Sequence, residues 1–488
     1  MRSFDEAISA GGDRFTPGAR GSGRARPERH PDPDETWVVR GGRLLRADAD
    51  PAVVDLVLRG ERVVAVEPAG TADAGPVLDA DGLDVAPGAI DLHVHLRDPG
   101  QTHKETVETG TAAAAAGGTT LVCDMPSTQP QVTTAERYAE KRASWAGRST
   151  VDFALWAGGT DPERLRAMAA AGAIGVKVYM ATSPGFEELY SPDDDAVRRV
   201  LRVSAELGWA VSVHAGDQAA SDAHRDSLVR AGRTDPAAVL EVTRGPGNLA
   251  GLRSVLAAAT DLRQRVHLAH LSAYGTAALD AFLEARAGHP GLTAESCFPA
   301  LSEEEDLPRL GAYVLPTVFS AAARERFLGA LADGGIDAIA TDHAPHTRAE
   351  KDAGRDDAWA APAGYPALET SLPLAYDALL AGRLPPRRFA DALATAPARI
   401  LGLPDRGRLA PGCYADLVLL DPAGSWRVDA STMHSLVGWS PLHGRTLRGR
   451  LVATYLRGRP VARGREILDA GRGRFVARPG FGAADRGM

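Results

Sequence analysis

The sequence predicts an α/β protein: a (β/α)8 TIM barrel carrying a small β-sandwich domain built from both chain ends. Three observations lead there. Eight short apolar segments alternate with longer Ala/Leu/Arg-rich stretches between residues 87 and 401, the repeat that a parallel barrel requires. Strand-like runs of Val and Leu around Gly turns flank that region on both sides. The chain's 488 residues are several times the roughly 100–150 of an average domain, which suits one large barrel with a smaller companion.

Taken in order, residues 1–35 are rich in Gly, Arg, Pro and Asp without apolar periodicity. They cannot bury enough surface to order themselves and are expected to form a disordered tail. Residues 36–86, with WVVRGGRLLRA and DLVLRGERVVAVEP, pair with 402–488, with ADLVLLD and GRLVATYLRGRPV, as one composite β domain. The barrel occupies 87–401, its strands read as AIDLHVHL, TTLVCDMPS, VDFALWAG, AIGVKVYM, AVSVHAG, RVHLAHLS, LTAESCF and AIATDHAP. A doubly wound sheet would carry a Gly-rich nucleotide loop after its first strand, and none is present.

Composition narrows the function. With 44% hydrophobic and 24% charged residues and no long uninterrupted apolar run, a membrane protein is excluded at this stage. The acidic start has no apolar core of a secretory signal, so a cytoplasmic location is expected. A net charge of −8 gives no footprint for nucleic acid. Three scattered cysteines, Cys123, Cys297 and Cys413, form neither a disulfide framework nor a cysteine zinc module. Only four of the 55 basic residues are lysines, which codon bias explains, so each lysine is more informative than usual.

The chemistry sits at the strand ends. His93 and His95 share a face of the first strand because strand side chains alternate, as two ligands of one metal would; alone, an H-x-H is weak evidence. Lys177 stands in the fourth strand, where burying an unpaired ammonium costs several kcal/mol. It must therefore be neutral, and able to react with CO₂ to give a carbamate ligand, or paired with an acid such as Asp124. The fifth strand supplies His214, the sixth His270 and the eighth Asp342, His343 and His346. His267, of opposite parity to His270, reads as a packing or outer residue. Each of these singly is commonly a satisfied core residue, but their convergence on one barrel end is poorly explained by chance.

The segments PGAIDLHVHLRDPGQTHKETVETGTAAAAAGGTT, GVKVYM, VHAG, HLAHLS and ATDHAPHT, with ALETSLPL, GRLAPGCYADLVLLD and SPLHGRTLRGRLVATYLRGRPV, closely resemble the cyclic amidohydrolases: dihydroorotase, allantoinase and hydantoinase. The resemblance spans nearly everything from Trp37 onward, and HLRDPG and TDHAPHT look most like the dihydroorotase branch. It implies that His93, His95 and Asp342 hold a buried Zn²⁺, that His214 and His270 hold a more exposed one, and that N6-carboxylated Lys177 bridges them. The same ligands accept Mn²⁺ or Co²⁺. Such a pair acidifies a bridging water to hydroxide and polarises the amide carbonyl, while Asp342 shuttles the proton to the departing ring nitrogen. The family also implies a homodimer or homotetramer acting on a small molecule. Arg97, Ser127 and His346 would grip a substrate carboxylate.

Departures from the dihydroorotase pattern concern the substrate wall. Met125-Pro126-Ser127-Thr128 places Ser127 where the family has asparagine. Leu315-Pro316-Thr317-Val318-Phe319 replaces an N-P-P-L-R run, and Ser296-Cys297-Phe298-Pro299 loses a histidine. A pocket stripped of these partners leaves a polar ring unpaired. The expectation is a zinc-dependent, dihydroorotase-like hydrolase that opens or closes a related cyclic amide or ureide bearing an acidic group. The alternatives are an authentic dihydroorotase of pyrimidine biosynthesis, an allantoinase or hydantoinase, and a catalytically silent scaffold homologue. The last would lack metal ligands, whereas all six positions are filled here.

Overall fold

The computed structural model describes residues 35–181, 185–297 and 320–478. The expectations for the N-terminal tail, for the 315–319 segment and for Phe298 and Pro299 lie outside the described residues.

Five N-terminal strands, β1 (Thr36–Leu44), β2 (Ala52–Arg59), β3 (Arg62–Pro68), β4 (Val77–Asp79) and β5 (Asp84–Pro87), precede the barrel. The eight barrel strands follow: β6 (Ala89–Val94), β7 (Thr119–Asp124), β8 (Asp152–Leu155), β9 (Gly175–Tyr179), β10 (Ala210–His214), β11 (Val266–Leu268), β12 (Leu292–Cys297) and β13 (Ala338–Ala340). After the last barrel helices come β14 (Leu417–Arg427), β15 (Thr446–Leu456), β16 (Arg459–Arg463) and β17 (Glu466–Ile467). The outer strands join in the order β17-β16-β15-β14-β5-β1-β2-β3, with β4 beside β1. The seam between the two ends of the chain is the antiparallel pair β5–β14, in register from Asp84↔Leu420 to Pro87↔Leu417. The composite β domain expected from the two flanking Val/Leu patterns is therefore one hydrogen-bonded sheet.

All eight barrel strands form where the sequence places them. β6-β7-β8 and β13-β12-β11-β10-β9 are parallel sheets, and the bridges Ala157↔Val176 and Val94↔His343 link them into a ring. The alternation within strands explains why. Val122, Phe153, Leu155, Val176, Val178, Val211, Val213 and Leu268 pack into the large core with the helices, while Leu121, Cys123, Ala154 and Trp156 belong to a second cluster. Gly88, between β5 and β6, is required by close approach: a Cβ there would lie 2.3 Å from the Thr120 methyl.

The outer sheet is pinned to the barrel by buried charge. Asp152 of β8 accepts from Arg406 at 2.6 Å and from Arg457 just beyond β15. Arg406 also donates to Asp416 at 2.7 Å. All four are buried, where pairing is what makes the charges tolerable. Among the described residues no helix is long and apolar enough to cross a membrane, and all three cysteines are free and buried.

Candidate active site

The strand ends bring the predicted ligands together. His93 Nε2 and His95 Nε2 each lie 3.3 Å from Asp342 Oδ1, and these three residues form a compact group able to hold a metal ion. His93 on β6 and His95, one residue past its end, lie on one side, as their spacing predicts. Beside them His214 Nδ1 lies 2.8 Å from His270 Nε2, and the His93 and His270 ring centroids are 5.5 Å apart. Lys177, on β9, is buried, and its Nζ donates to Ser212 Oγ at 3.3 Å.

The acid pair envisaged for Lys177 is not formed. Asp124 instead accepts from Lys141 Nζ at 2.5 Å, which leaves the Lys177 amine without a directly paired carboxylate among the described residues. Burial pulls its pKa down to about 8, against the opposing fields of Glu295 and Asp342. Burial likewise lowers His95 to about 3 and His270 to about 4, so both imidazoles are neutral and have a lone pair to give. Burial alone would raise Asp342, but the electrostatic interaction with His93 and the hydrogen bond from His95 hold its carboxyl below the usual range.

Backbone strain collects here. Five non-glycine residues among those described have left-handed φ, and three of them are Arg97 (61°), His270 (37°) and Asp342 (48°). Such conformations are costly and persist where surrounding structure over-determines them, often at functional sites.

One member of the site escaped the sequence reading. Glu295, on β12, is fully buried. Its Oε1 lies 2.6 Å from His93 Nδ1 and accepts the His270 backbone N–H at 3.0 Å, while Oε2 lies 3.0 Å from His267 Nε2. Although burial opposes ionisation, His93 and His267 hold Glu295 well below the carboxylate range. Its only local trace is a glutamate inside the strand-like run LTAESC, which does not by itself mark a site. His267, read as a packing or outer residue, is buried and packs against this carboxylate, outside the His93, His95 and Asp342 group. The parity comparison with His270 fails because β11 ends at Leu268 and His270 has left-handed backbone.

The three predicted substrate contacts also have partners. Arg97, buried, donates from Nε to the Pro345 carbonyl at 3.3 Å and from Nη2 to His346 Nε2 at 3.1 Å. Asp98, the next residue in the chain, pairs with Arg148 at 2.7 Å and not with Arg97. Lys104 Nζ approaches His346 Nδ1 at 3.2 Å and pairs with Glu350 at 2.8 Å. Burial and the Arg97 and Lys104 cations lower His346 to about 2, so the ring is neutral. Ser127 Oγ lies 2.8 Å from His95 Nδ1. His343 is turned away from the group: its Nδ1 accepts the Ala367 N–H at 3.0 Å, and its Nε2 faces Glu105 at 3.3 Å.

A metal fits these residues. Among the described residues the buried His270 Nδ1 has no hydrogen-bond partner, an arrangement that is expensive unless something binds it. The neutral imidazoles, the ionised Asp342 and the outer carboxylate on His93 make up a donor set typical of divalent-metal sites.

Comparison with known proteins agrees. Residues 85–461 match the amidohydrolase family. The chain is 38% identical to the dihydroorotase of Halobacterium salinarum over 81% of its own length and 90% of that protein's. It is 34% identical to the allantoinase of Rubrobacter xylanophilus over 90% and 97%. Among solved structures, the L-hydantoinase (dihydropyrimidinase) of Arthrobacter aurescens superposes with a TM-score of 0.85 at 31% identity, over 91% of this chain and all of the other. The chain belongs to the amidohydrolase family, in its cyclic amidohydrolase branch. It is a hydrolase of carbon–nitrogen bonds in cyclic amides.

Proposed function

We propose that this protein opens, or in reverse closes, the ring of a cyclic ureide, imide or amide that bears an acidic group, using two divalent cations, Zn²⁺ by preference. The observation that carries the reading is the position of the buried Arg97–His346 pair, on the same strand ends as the His93, His95 and Asp342 group. His93, His95 and Asp342 would hold one cation, His214 and His270 the other. Lys177 would serve both as a carbamate: its neutral amine forms an N–C bond to CO₂ and releases a proton. When bound, the cation pair supplies Lewis acidity that activates a water and polarises the scissile carbonyl.

The chain's own residues do the rest. Asp342, kept ionised by His93 and His95, accepts the proton of the attacking water at a carboxylate oxygen and returns it to the departing ring nitrogen. Glu295 fixes the His93 tautomer by accepting from Nδ1–H, so that Nε2 keeps its lone pair. Arg97 offers a buried guanidinium to a substrate carboxylate, with His346 and Ser127 beside it.

The test is a panel of carbamoyl-aspartate, dihydroorotate, allantoin, hydantoins and simple cyclic imides with the purified, metal-loaded enzyme. Turnover of an acid-bearing ring other than dihydroorotate supports the proposal. Cyclisation of carbamoyl-aspartate at rates ordinary for housekeeping metabolism would replace it with an authentic dihydroorotase, a reading that the similarity to the Halobacterium enzyme favours.

A further inference from the structure

The opposite end of the barrel carries a second recess. At the starts of β10, β11 and β12 lies a cavity of about 280 Å³ whose lining includes Arg265, Arg286, Arg399, Asp337, His267 and Thr293. Asp337 is a buried carboxylate already committed. It accepts from Arg286 through both oxygens at 2.8 and 3.0 Å and from the Ala294 backbone at 3.0 Å. Arg399 reaches it only at 3.5 Å, with its side chain 64% exposed. Arg265 is exposed, and no hydrogen bond or ion pair engages it among the described residues. Three guanidiniums against one carboxylate give the lining a formal surplus of two positive charges, in a chain whose net charge is −8. Two of the three have N–H donors to spare.

That combination selects a ligand. Guanidinium forks match the oxygens of a tetrahedral dianion in paired hydrogen bonds, and a concave recess strengthens the attraction by excluding part of the solvent. The volume exceeds that of a phosphate ion and falls near the lower end of small-molecule pockets, roughly 300–1,000 Å³. We propose that this cavity binds the dianionic phosphate of a small molecule, at a site separate from the metal centre. Arg265 and Arg399 provide the free donors, and Arg286, held by Asp337, forms a fixed wall.

Isothermal titration of the full-length metal-loaded protein tests this, with inorganic phosphate in one arm and ribose 5-phosphate in the other. Each arm is repeated on the Arg265→Ser/Arg399→Ser double variant, whose thermal melting is compared with the parent to establish that it folds. Both substituted side chains are exposed and, among the described residues, neither is bonded to a metal ligand, so phosphate binding at the metals is common to parent and variant. The expected result is a binding event in the parent that weakens at least about tenfold in the double variant and declines with added salt. Tighter binding of the sugar phosphate identifies an organic phosphate as the occupant, and equal binding identifies inorganic phosphate. Absence of binding, or binding that the double variant retains in full, overturns the site. A failed substrate panel with this result intact would overturn the proposed activity alone.

Discussion

His93 Nδ1 sits 2.6 Å from Glu295 Oε1, and both residues are buried. That contact sets which nitrogen of His93 faces Asp342, and the same carboxylate holds the His270 backbone and the His267 ring. One side chain therefore orients parts of both halves of the site.

Replacing Glu295 with Gln should lower metal affinity and activity together, by about 10–100-fold, the usual cost of losing a ligand's outer carboxylate. Metal content by elemental analysis and kcat/KM at several metal concentrations measure it. Full metal content with unchanged kcat would show that the contact is only structural.

Lys177→Ala should abolish turnover and reduce bound metal, because the two carboxylates whose fields reach Lys177, Glu295 and Asp342, are already engaged by His93, His95 and His267. A variant with full metal content and full activity would refute the carbamate role. Chelation of the parent enzyme should likewise remove activity and lower its melting temperature, with Zn²⁺ restoring both.

Arg97→Met should raise KM for an acid-bearing substrate by one to two orders of magnitude, the worth of about 1.5–3 kcal/mol for a charge-assisted hydrogen bond, with a smaller change for a neutral analogue. Equal losses on both would mean that Arg97 serves the local structure through the Pro345 carbonyl and not the substrate.

Asp91 predicts a pH dependence of stability. Burial pushes its carboxyl from 3.8 up to about 7, against hydrogen bonds from Thr341 and the His93 backbone. Between about pH 4 and 7 the folded protein therefore keeps a proton that the unfolded chain has released, so stability falls as pH rises through that window. Asp91→Asn cannot titrate. In metal-free protein it should flatten the slope, with a difference of up to about 4 kcal/mol across the window. Urea denaturation at the two ends of the range checks it; an unchanged slope excludes Asp91 as its source.

Asp152→Ala should destabilise the protein by about 3–5 kcal/mol, because it leaves Arg406 and Arg457 as buried cations short of a partner. The midpoint of chemical denaturation reports it, and a change below about 1 kcal/mol would contradict the pinning role.

Much of this was legible before any coordinates. The eight barrel strands announced themselves because a strand buried on both faces needs a short apolar run, and the H-x-H spacing required no tertiary information to place two imidazoles on one side. Glu295 was not legible. A glutamate inside LTAESC reads as a strand residue of no special kind until β6 and β12, some 200 positions apart, are brought together across the barrel. The bond from His267 to Glu295 was hidden for a related reason: parity with His270 holds only while the strand continues, and the end of β11 is set by backbone geometry that local sequence does not display.

The sequence by itself determined the periodicities, the ligand residue types and the family, since these depend on local spacing and side-chain chemistry. Only the tertiary structure decided which charges neutralise one another. It gave Asp124 to Lys141 and, among the described residues, left the buried Lys177 amine with Ser212 and no paired carboxylate, set Ser127 against His95, and gathered three arginines and one carboxylate about a recess at the far end of the barrel. Electrostatic pairing falls off with distance in space and is indifferent to distance along the chain, so these assignments had to wait for the fold.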